Sequence, residues 1–202
     1  MPMNIANIKK RIVLTGGPGG GKTTALDLIR REFLGKIATV PEAATMIFSG
    51  GIERSTNDQI LKTQQIAIFN LQKHLEDIQR TTFQNSIILC DRGSLDGLAY
   101  WPENDENFFT SMNTSIEEEL LRYDAVIFFE SAAKSGESIK SNNPIRNESE
   151  KAAIELDNKL KTIWSKHPNF NLIHSSESFI NKVIFGIKTI EQIMDDYQKS
   201  AP

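Results

Sequence analysis

Short apolar runs alternate with longer amphipathic segments along the chain. Each run spans four or five residues and is closed by glycine, proline or polar residues, which is the pattern of a buried strand. The five runs cover residues 11–15, 37–40, 87–90, 125–129 and 171–174. Because buried strands of this kind occur where helices cover both faces of a parallel sheet, the pattern predicts a three-layer α/β protein.

Helical periodicity fills the segments between the runs. Apolar side chains recur at helical spacing over residues 22–33, and Gly35 stands where such a helix would end. Two further helices are predicted, from about 147 to 164 and from 179 to 194. Strand and helix therefore alternate, and ligands are expected at the carboxyl edge of the sheet.

The longest helix is predicted to begin near Thr56. Thr56 and Gln59, three residues later, resemble a capping box, and four apolar residues then keep a helical spacing of three or four. This stripe, which we expect to pack on the core, consists of Ile68, Leu71, Leu75 and Ile78.

Composition narrows the class of protein. With 202 residues, 39% apolar and 24% charged, the chain fits a single domain covering residues 1–202. A net charge of −3 lacks the basic excess of proteins that bind nucleic acid or anionic membranes, so small ligands or other proteins are the expected partners. The single cysteine, Cys90, excludes an internal disulfide, and no apolar run approaches the length of a transmembrane segment, so the cytoplasm is expected. The oligomeric state is left open.

The chemistry is concentrated in a glycine-rich loop after the first run. Gly16 to Thr23 matches the phosphate-binding P-loop, G-x-x-x-x-G-K-T, with an apolar strand before it and an amphipathic helix after it. Glycines allow successive amides to point inward and form a concavity for an anion, and the helix adds its positive N-terminal end. A flexible glycine-rich turn, the alternative, would explain neither flanking element. The sequence therefore predicts that this loop binds the phosphates of ATP or GTP.

The P-loop pattern also assigns individual residues to nucleotide and metal. Lys22 is expected to contact the β- and γ-phosphates, and the Thr23 hydroxyl is expected to bind Mg²⁺. The predicted nucleotide-binding set is Gly17, Gly19, Gly20, Gly21, Lys22, Thr23 and Thr24.

Asp91 and Arg92 follow directly on the third run. An aspartate at this place in P-loop proteins holds Mg²⁺ directly or through water, so Asp91 is the second predicted metal ligand. ATP-hydrolysing motors carry glutamate after it to orient water, whereas Arg92 here can stabilise a phosphoryl group in transfer. The pair therefore favours a phosphotransferase; the alternative is a turn that merely closes the strand.

Glu42 follows the second run and Pro41, on the same predicted edge as the P-loop. A carboxylate there can accept the proton of a hydroxyl nucleophile or hydrogen-bond a ribose. It can equally be an ordinary glutamate in the first turn of a helix, and the sequence leaves both interpretations open.

Residues 131–150 are polar and rich in Gly, Ser, Asn and Pro. This composition predicts a lid that closes over the phosphates and brings Arg146 to the charge that develops during transfer. A solvated connection is the alternative.

Three segments together resemble one family: GGPGGGKTT at 16–24, VPEAA at 40–44 and CDRGSLDGLAY at 90–100. They are similar to the NadR-like AAA-domain P-loop ATPases, which include the nicotinamide-riboside kinase domain of NadR and animal GTP- and phosphoinositide-binding relatives. The resemblance implies a fold like that of nucleoside and nucleotide kinases, with a five-stranded parallel sheet in the order 2-3-1-4-5. It also implies active-site roles for Glu42, Asp91 and Arg92 and a lid that carries Arg146.

Two functions remain in competition at this point. The first is an ATP-dependent kinase of a small hydroxyl-bearing metabolite such as a nucleoside, in which Lys22, Mg²⁺ and the arginines stabilise transfer and Glu42 is base or substrate anchor. The second is a binding module, in which ATP or GTP orders residues 131–150 for a protein or lipid partner. The resemblance names no acceptor, because members of the family differ in function.

Overall fold

The computed structural model describes residues 10–102, 108–131, 150–175 and 178–200. Five strands form one sheet in which every pairing is parallel. The strands are β1 Arg11–Thr15, β2 Ile37–Val40, β3 Ile87–Asp91, β4 Ala125–Phe129 and β5 Phe170–Ile173, and their order is β2-β3-β1-β4-β5. The predicted α/β class and the 2-3-1-4-5 order are both confirmed.

Two strands differ from the sequence prediction by one residue, and pairing explains both differences. β3 continues to Asp91, which lies opposite Leu14 of β1. β5 lies one residue earlier than predicted, because Phe170 pairs with Val126 of β4 and His174 is exposed beyond the strand.

Helices cover both faces of the sheet. They are α1 Lys22–Glu32, α2 Ala43–Ser49, α3 Asp58–Thr82, α4 Phe108–Met112, α5 Ile116–Leu120, α6 Glu150–Trp164 and α7 Phe179–Ser200, with a 3-10 helix at Ser94–Tyr100. On one face, Ile29 of α1 and Ile190 of α7 are fully buried against the sheet. On the other face, Leu160 of α6 and Leu95 of the 3-10 helix are fully buried. None of the helices in the described parts of the chain has the length and apolarity to span a bilayer.

The start of α3 corrects the predicted capping box. The cap is Asn57 rather than Thr56, because the Asn57 side chain accepts a 3.2 Å hydrogen bond from the Ile60 amide. An asparagine cap satisfies one of the amides that the first turn leaves without an intrahelical partner. The helix therefore begins at Asp58.

The buried face of α3 is also different from the predicted one. The apolar stripe is not the deepest face, since Ile78 at its end is 58% exposed. The buried side chains are instead mostly polar: Gln64, Gln65, Phe69, Gln72 and Glu76. Polar groups can be buried when partners satisfy them, and apolar periodicity alone does not detect such partners.

Candidate active site

The phosphate loop connects β1 to α1 at the carboxyl edge of the sheet, and two glycines fix its path. Gly16 has a φ of 132°, and a Cβ atom there would lie 2.0 Å from the Phe129 carbonyl oxygen. Gly21 has a φ of 79° and is the N-cap of α1, and a Cβ atom there would lie 2.7 Å from the Phe179 ring. Both positions therefore require glycine, because the loop approaches β4 and α7 closely.

The first turn of α1 brings three predicted ligand-binding residues to the loop. Lys22, Thr23 and Thr24 open the helix, where backbone amides have no intrahelical acceptor. The Lys22 side chain is buried, and its Nζ donates to the Gly17 carbonyl over 2.6 Å. The ammonium group and the amides at the helix end therefore lie on the same loop.

One predicted loop donor is already engaged by the protein. The Gly17 amide donates to Oδ1 of Asp157 on α6 at 2.8 Å, and the same oxygen accepts from the Ser131 amide at 3.0 Å. By contrast, no described residue accepts a hydrogen bond from the amides of Gly19 or Gly20. Asp157, which the sequence analysis did not single out, thus ties the loop to α6 and to the end of β4.

Asp91 at the end of β3 lies beside the first turn of α1. Thr23 Oγ1 donates to Asp91 Oδ2 over 3.0 Å, so the two predicted metal ligands are adjacent. Burial, and next the charge of Glu42, raises the pKa of Asp91 above its ordinary value, while Arg92 and Lys22 oppose the rise. A hydroxyl and a carboxylate are hard oxygen donors of the kind that Mg²⁺ takes, and a nearby cation would favour the ionised carboxylate. The donor set therefore fits Mg²⁺.

Arg92 connects the phosphate loop to a neighbouring pocket. Its Nη1 donates to the Gly16 carbonyl over 2.8 Å and to Asp96 over 3.0 Å. Its Nε donates to Glu42 over 3.1 Å. Burial alone would lower the pKa of this guanidinium, but Tyr100, Asp96 and Glu42 raise it well above its ordinary value. Arg92 therefore stays charged, and its φ of 74° is a conformation uncommon outside glycine.

Asp96 is a buried anchor that the sequence analysis missed. Besides Arg92, its carboxylate accepts hydrogen bonds from Thr15 Oγ1 at 2.8 and 2.9 Å and from the Trp164 indole at 2.8 Å. It thus joins the end of β1, the residue after β3 and α6. The sequence contained one indication of this role, because Asp96 lies five residues after Asp91 in the segment 90–100. The other residues from 93 to 99 are small or apolar.

Glu42 stands at the start of α2, and its role as base or substrate anchor stays a prediction. It is the N-cap residue of α2, but its side chain makes no capping hydrogen bond. Its carboxylate instead accepts from Arg92 at 3.1 Å and from the Thr45 hydroxyl at 2.5 Å. The carboxylate therefore belongs to the polar network around Arg92.

A pocket lies beside this carboxylate, between α2, α3 and the 3-10 helix. Its walls include polar and aromatic side chains: Glu42, Gln65, Gln72, Arg92, Asp96, Phe48, Phe69 and Tyr100. The pocket is narrow, with a cavity volume of about 40 Å³, which is space for about three waters. Exposed Arg54, whose guanidinium lies 4.2 Å from the centre of the Phe48 ring, forms part of the wall. A ring-sized occupant therefore has to move part of this wall.

The predicted lid falls largely outside the described residues. This is true of Arg146 and of the whole stretch 132–149. Ser131, at its start, is buried, and its hydroxyl donates to the Pro18 carbonyl of the phosphate loop over 2.5 Å. The lid and the role of Arg146 stay predictions.

The sheet order and the loop between β1 and α1 define a P-loop fold of the nucleoside- and nucleotide-kinase type. A sequence model described as an AAA domain matches residues 11–179. The chain belongs to this AAA-domain family, which confirms that part of the predicted resemblance, whereas the likeness to NadR in particular stays a prediction. No curated protein sequence matches the chain.

Solved structures of one kinase are similar to this chain. Deoxyadenosine kinase from M. mycoides with bound dATP has a TM-score of 0.61 and 16% identity, covering 90% of this chain and 99% of that one. The same kinase with the products dCMP and a flexible dCDP has a TM-score of 0.54 and 17% identity, covering 91% and 99%. At this level of identity the likeness establishes a shared fold.

Proposed function

We propose that the protein is a phosphotransferase that moves the γ-phosphoryl group of ATP to a hydroxyl group of a small metabolite such as a nucleoside. The observation that carries the proposal is the position of Arg92, which bonds both to the Gly16 carbonyl of the phosphate loop and to Glu42 in the pocket. A cation that lies between the phosphate site and the pocket carboxylate can stabilise the negative charge that develops during phosphoryl transfer. The fold shared with deoxyadenosine kinase supports the same class of reaction.

Each residue of the site has a role in this proposal. The loop amides and Lys22 hold the phosphates. Thr23 and Asp91 would hold Mg²⁺, which would neutralise charge on the phosphate oxygens. Glu42 accepts the proton of the acceptor hydroxyl as that oxygen bonds to the γ-phosphorus, and the bond from this phosphorus to the β–γ bridging oxygen breaks and releases ADP.

Transfer to an acceptor is favoured over hydrolysis by the residue that follows β3. Arg92 occupies the place where ATP-hydrolysing motors carry a glutamate that orients water, and its side chain is held by Glu42 and Asp96. We therefore expect hydrolysis to be a slow background reaction. Glu42 has to exchange Arg92 for the acceptor hydroxyl when it acts as base, so binding of the acceptor and activation of the base are linked.

The proposal is tested by a screen of donors and acceptors. ATP and GTP, each with Mg²⁺, are incubated with nucleosides, nucleoside monophosphates and simple polyols, and phosphorylated product is quantified against ADP or GDP. We expect one acceptor class to give product in equal amount to the diphosphate. Glu42→Gln should keep nucleotide binding and lower transfer by about 10²- to 10⁴-fold, whereas Lys22→Met should lower both.

The opposite result would favour the second function considered from the sequence. If the wild-type protein binds nucleotide through Lys22 but releases only inorganic phosphate, slowly and at the same rate with every acceptor, the kinase proposal fails. A protein or lipid partner whose binding depends on nucleotide and is lost in Lys22→Met would then identify a nucleotide-dependent binding module.

A further inference from the structure

The turn that carries Arg92 follows β3 and begins with an unusual backbone conformation. Arg92 has a φ of 74°, and a residue other than glycine keeps such a conformation only where its surroundings fix it. On one side, the Arg92 amide donates to the Leu14 carbonyl of β1 over 3.0 Å. The remainder of the turn therefore needs contacts that hold it against relaxation.

Two buried side chains supply those contacts by bonding to the main chain of the turn. The Ser94 amide donates to Tyr123 Oη over 2.8 Å. The Arg92 carbonyl accepts from Gln72 Nε2 over 3.2 Å. Both side chains also donate to one oxygen, Glu76 Oε1, Tyr123 over 2.7 Å and Gln72 over 3.1 Å. A single buried carboxylate thus anchors both contacts to the turn.

Tyr123 is itself held rigidly between α5 and β4. Its side chain is buried, and its ring packs edge-on against the Trp164 ring with the centroids 5.3 Å apart. Trp164 in turn lies close to the turn, since a Cβ atom at Gly93 would be 2.7 Å from its indole. Burial, and next the charge of Glu76, raises the pKa of Tyr123 well above its ordinary value. The phenol therefore keeps its proton, donates it to Glu76 and can accept from the Ser94 amide.

We propose that Tyr123 is a positioning residue for phosphoryl transfer, which holds the turn after β3 so that the Arg92 guanidinium reaches both the Gly16 carbonyl and Glu42. This role rests on the proposed function, in which Arg92 stabilises the charge that develops during transfer. Tyr123 is not among the described residues that line the pocket, so it acts through the turn and not by touching the acceptor. A displacement of about 1 Å at a reacting centre can lower a rate about 100-fold.

One substitution tests this role, and substitutions elsewhere control for lost stability. Tyr123→Phe keeps the ring and removes the hydroxyl that accepts from the Ser94 amide. Ile190→Val and Ile190→Ala are the controls, because Ile190 is fully buried against the opposite face of the sheet. Arg92→Lys keeps a positive charge and loses the planar fork of the guanidinium. The double variant Tyr123→Phe/Arg92→Lys completes a cycle, and all proteins are compared by thermal unfolding and steady-state kinetics.

Tyr123→Phe should lower the melting temperature by about 2–10 °C, because the Ser94 amide loses its buried acceptor. Its kcat should fall by about 10- to 100-fold, while KM for nucleotide and acceptor changes by less than about threefold. The two Ile190 variants should span a similar loss of melting temperature and keep kcat within about twofold of wild type. In the Arg92→Lys background, Tyr123→Phe should lower kcat by less than about threefold, because effects that pass through one group do not add.

A second measurement follows Arg92 without any need for transfer. Its Nε–H donates to Glu42 over 3.1 Å, and the corresponding NMR signal is assigned by its absence in Arg92→Lys. At a temperature well below every melting temperature, exchange of this hydrogen with water should be at least about tenfold faster in Tyr123→Phe than in wild type. The exchange rate in Ile190→Val should equal that of wild type.

The inference and the proposed function fail in different ways. If Tyr123→Phe keeps the wild-type kcat, or lowers kcat equally in both Arg92 backgrounds, the inference is overturned and the kinase proposal stands. If the wild-type protein phosphorylates no acceptor, the kinase proposal fails and the exchange measurement decides the inference. Faster exchange at Arg92 in Tyr123→Phe but not in Ile190→Val then supports the hold of Tyr123 on the turn, and an unchanged rate overturns it.

Discussion

A carboxylate is buried at each of the two edges of the sheet, and the two carboxylates differ in how many hydrogen-bond partners the protein gives them. At the amino edge, the oxygens of Glu76 are occupied by four partners: Arg11 Nη1 at 2.8 Å, Arg122 Nη2 at 2.7 Å, Tyr123 Oη at 2.7 Å and Gln72 Nε2 at 3.1 Å. At the carboxyl edge, Asp91 accepts one side-chain hydrogen bond within the described structure, from Thr23 at 3.0 Å. Burial alone does not distinguish them, since both side chains are almost inaccessible to solvent.

The difference separates a structural carboxylate from a ligand-binding one. A carboxylate has about four lone-pair positions, and at Glu76 the protein's own donors use them. Asp91 keeps unused lone pairs, has a raised pKa and lies next to the phosphate loop. A buried acid with this combination is a candidate for binding an external cation.

The largest effect that tests this comparison is expected for a substitution of Glu76 at the amino edge, on the free energy of unfolding. Glu76→Gln removes the negative charge shared by Arg11 and Arg122. Each cation then keeps one carboxylate, Asp77 at 3.3 Å from Arg11 and Glu119 at 3.2 Å from Arg122. Loss of one partner of a buried ion pair typically costs about 3–5 kcal/mol. We therefore expect the free energy of unfolding in urea to fall by about that amount. The exposed Glu155→Gln is the control, and a loss below about 1 kcal/mol would show that Glu76 does not hold this edge together.

The next largest effect is expected at the carboxyl edge, on activity rather than stability. Lys22→Met removes the ammonium group that is proposed to hold the β- and γ-phosphates. Loss of one such charge-stabilising donor typically lowers the rate by about 10²- to 10³-fold. The free energy of unfolding should fall by only about 1 kcal/mol, because the Gly17 carbonyl loses one hydrogen bond and the variant buries no new charge. Exposed Lys166→Met is the control, and an equally large loss of stability in Lys22→Met would remove the contrast between the two edges.

The parts of the site that sequence analysis predicted are those that a local pattern encodes. Gly16, Gly21 and Lys22 belong to one continuous motif, and the backbone of that motif fixes where they lie. The sheet order was implied by resemblance to a family rather than by the pattern of apolar residues, and the structure confirms it. Asp91 and Glu42 lie at the predicted edge because parallel strands present their carboxyl ends together.

The parts that were missed depend on contacts between distant segments. Asp157 bonds to Gly17, which is 140 residues earlier in the chain, so neither residue signals the other locally. Gln65 lies on a helix whose apolar residues suggested that a different face was buried, because periodicity counts only hydrophobic positions. Which polar side chains of a helix are buried is visible only when the neighbouring elements are in place.

The smallest expected effect is on the free energy of unfolding, and it tests whether the ionised carboxylate of Asp91 destabilises the folded protein. Because its pKa is raised in the folded protein, the folded state binds more protons than the unfolded state above the ordinary value of 3.8. Stability therefore falls as pH rises from there through the raised pKa, and stays lower at neutral pH. Asp91→Asn removes this titration and should raise the free energy of unfolding at pH 7 by on the order of 1 kcal/mol, while it lowers phosphoryl transfer.

The measurement compares urea unfolding of wild type and Asp91→Asn from pH 4 to pH 8, with chelator present and nucleotide absent. The difference between the two proteins should be smallest near pH 4, close to the ordinary pKa of 3.8, and should grow in favour of the variant before it levels off. Glu76→Gln should show no such gain at any pH, because Glu76 is already compensated by Arg11 and Arg122. A variant that is less stable than wild type at pH 7 would mean that Asp91 stabilises the fold as Glu76 does, and the contrast between the two edges would then fail.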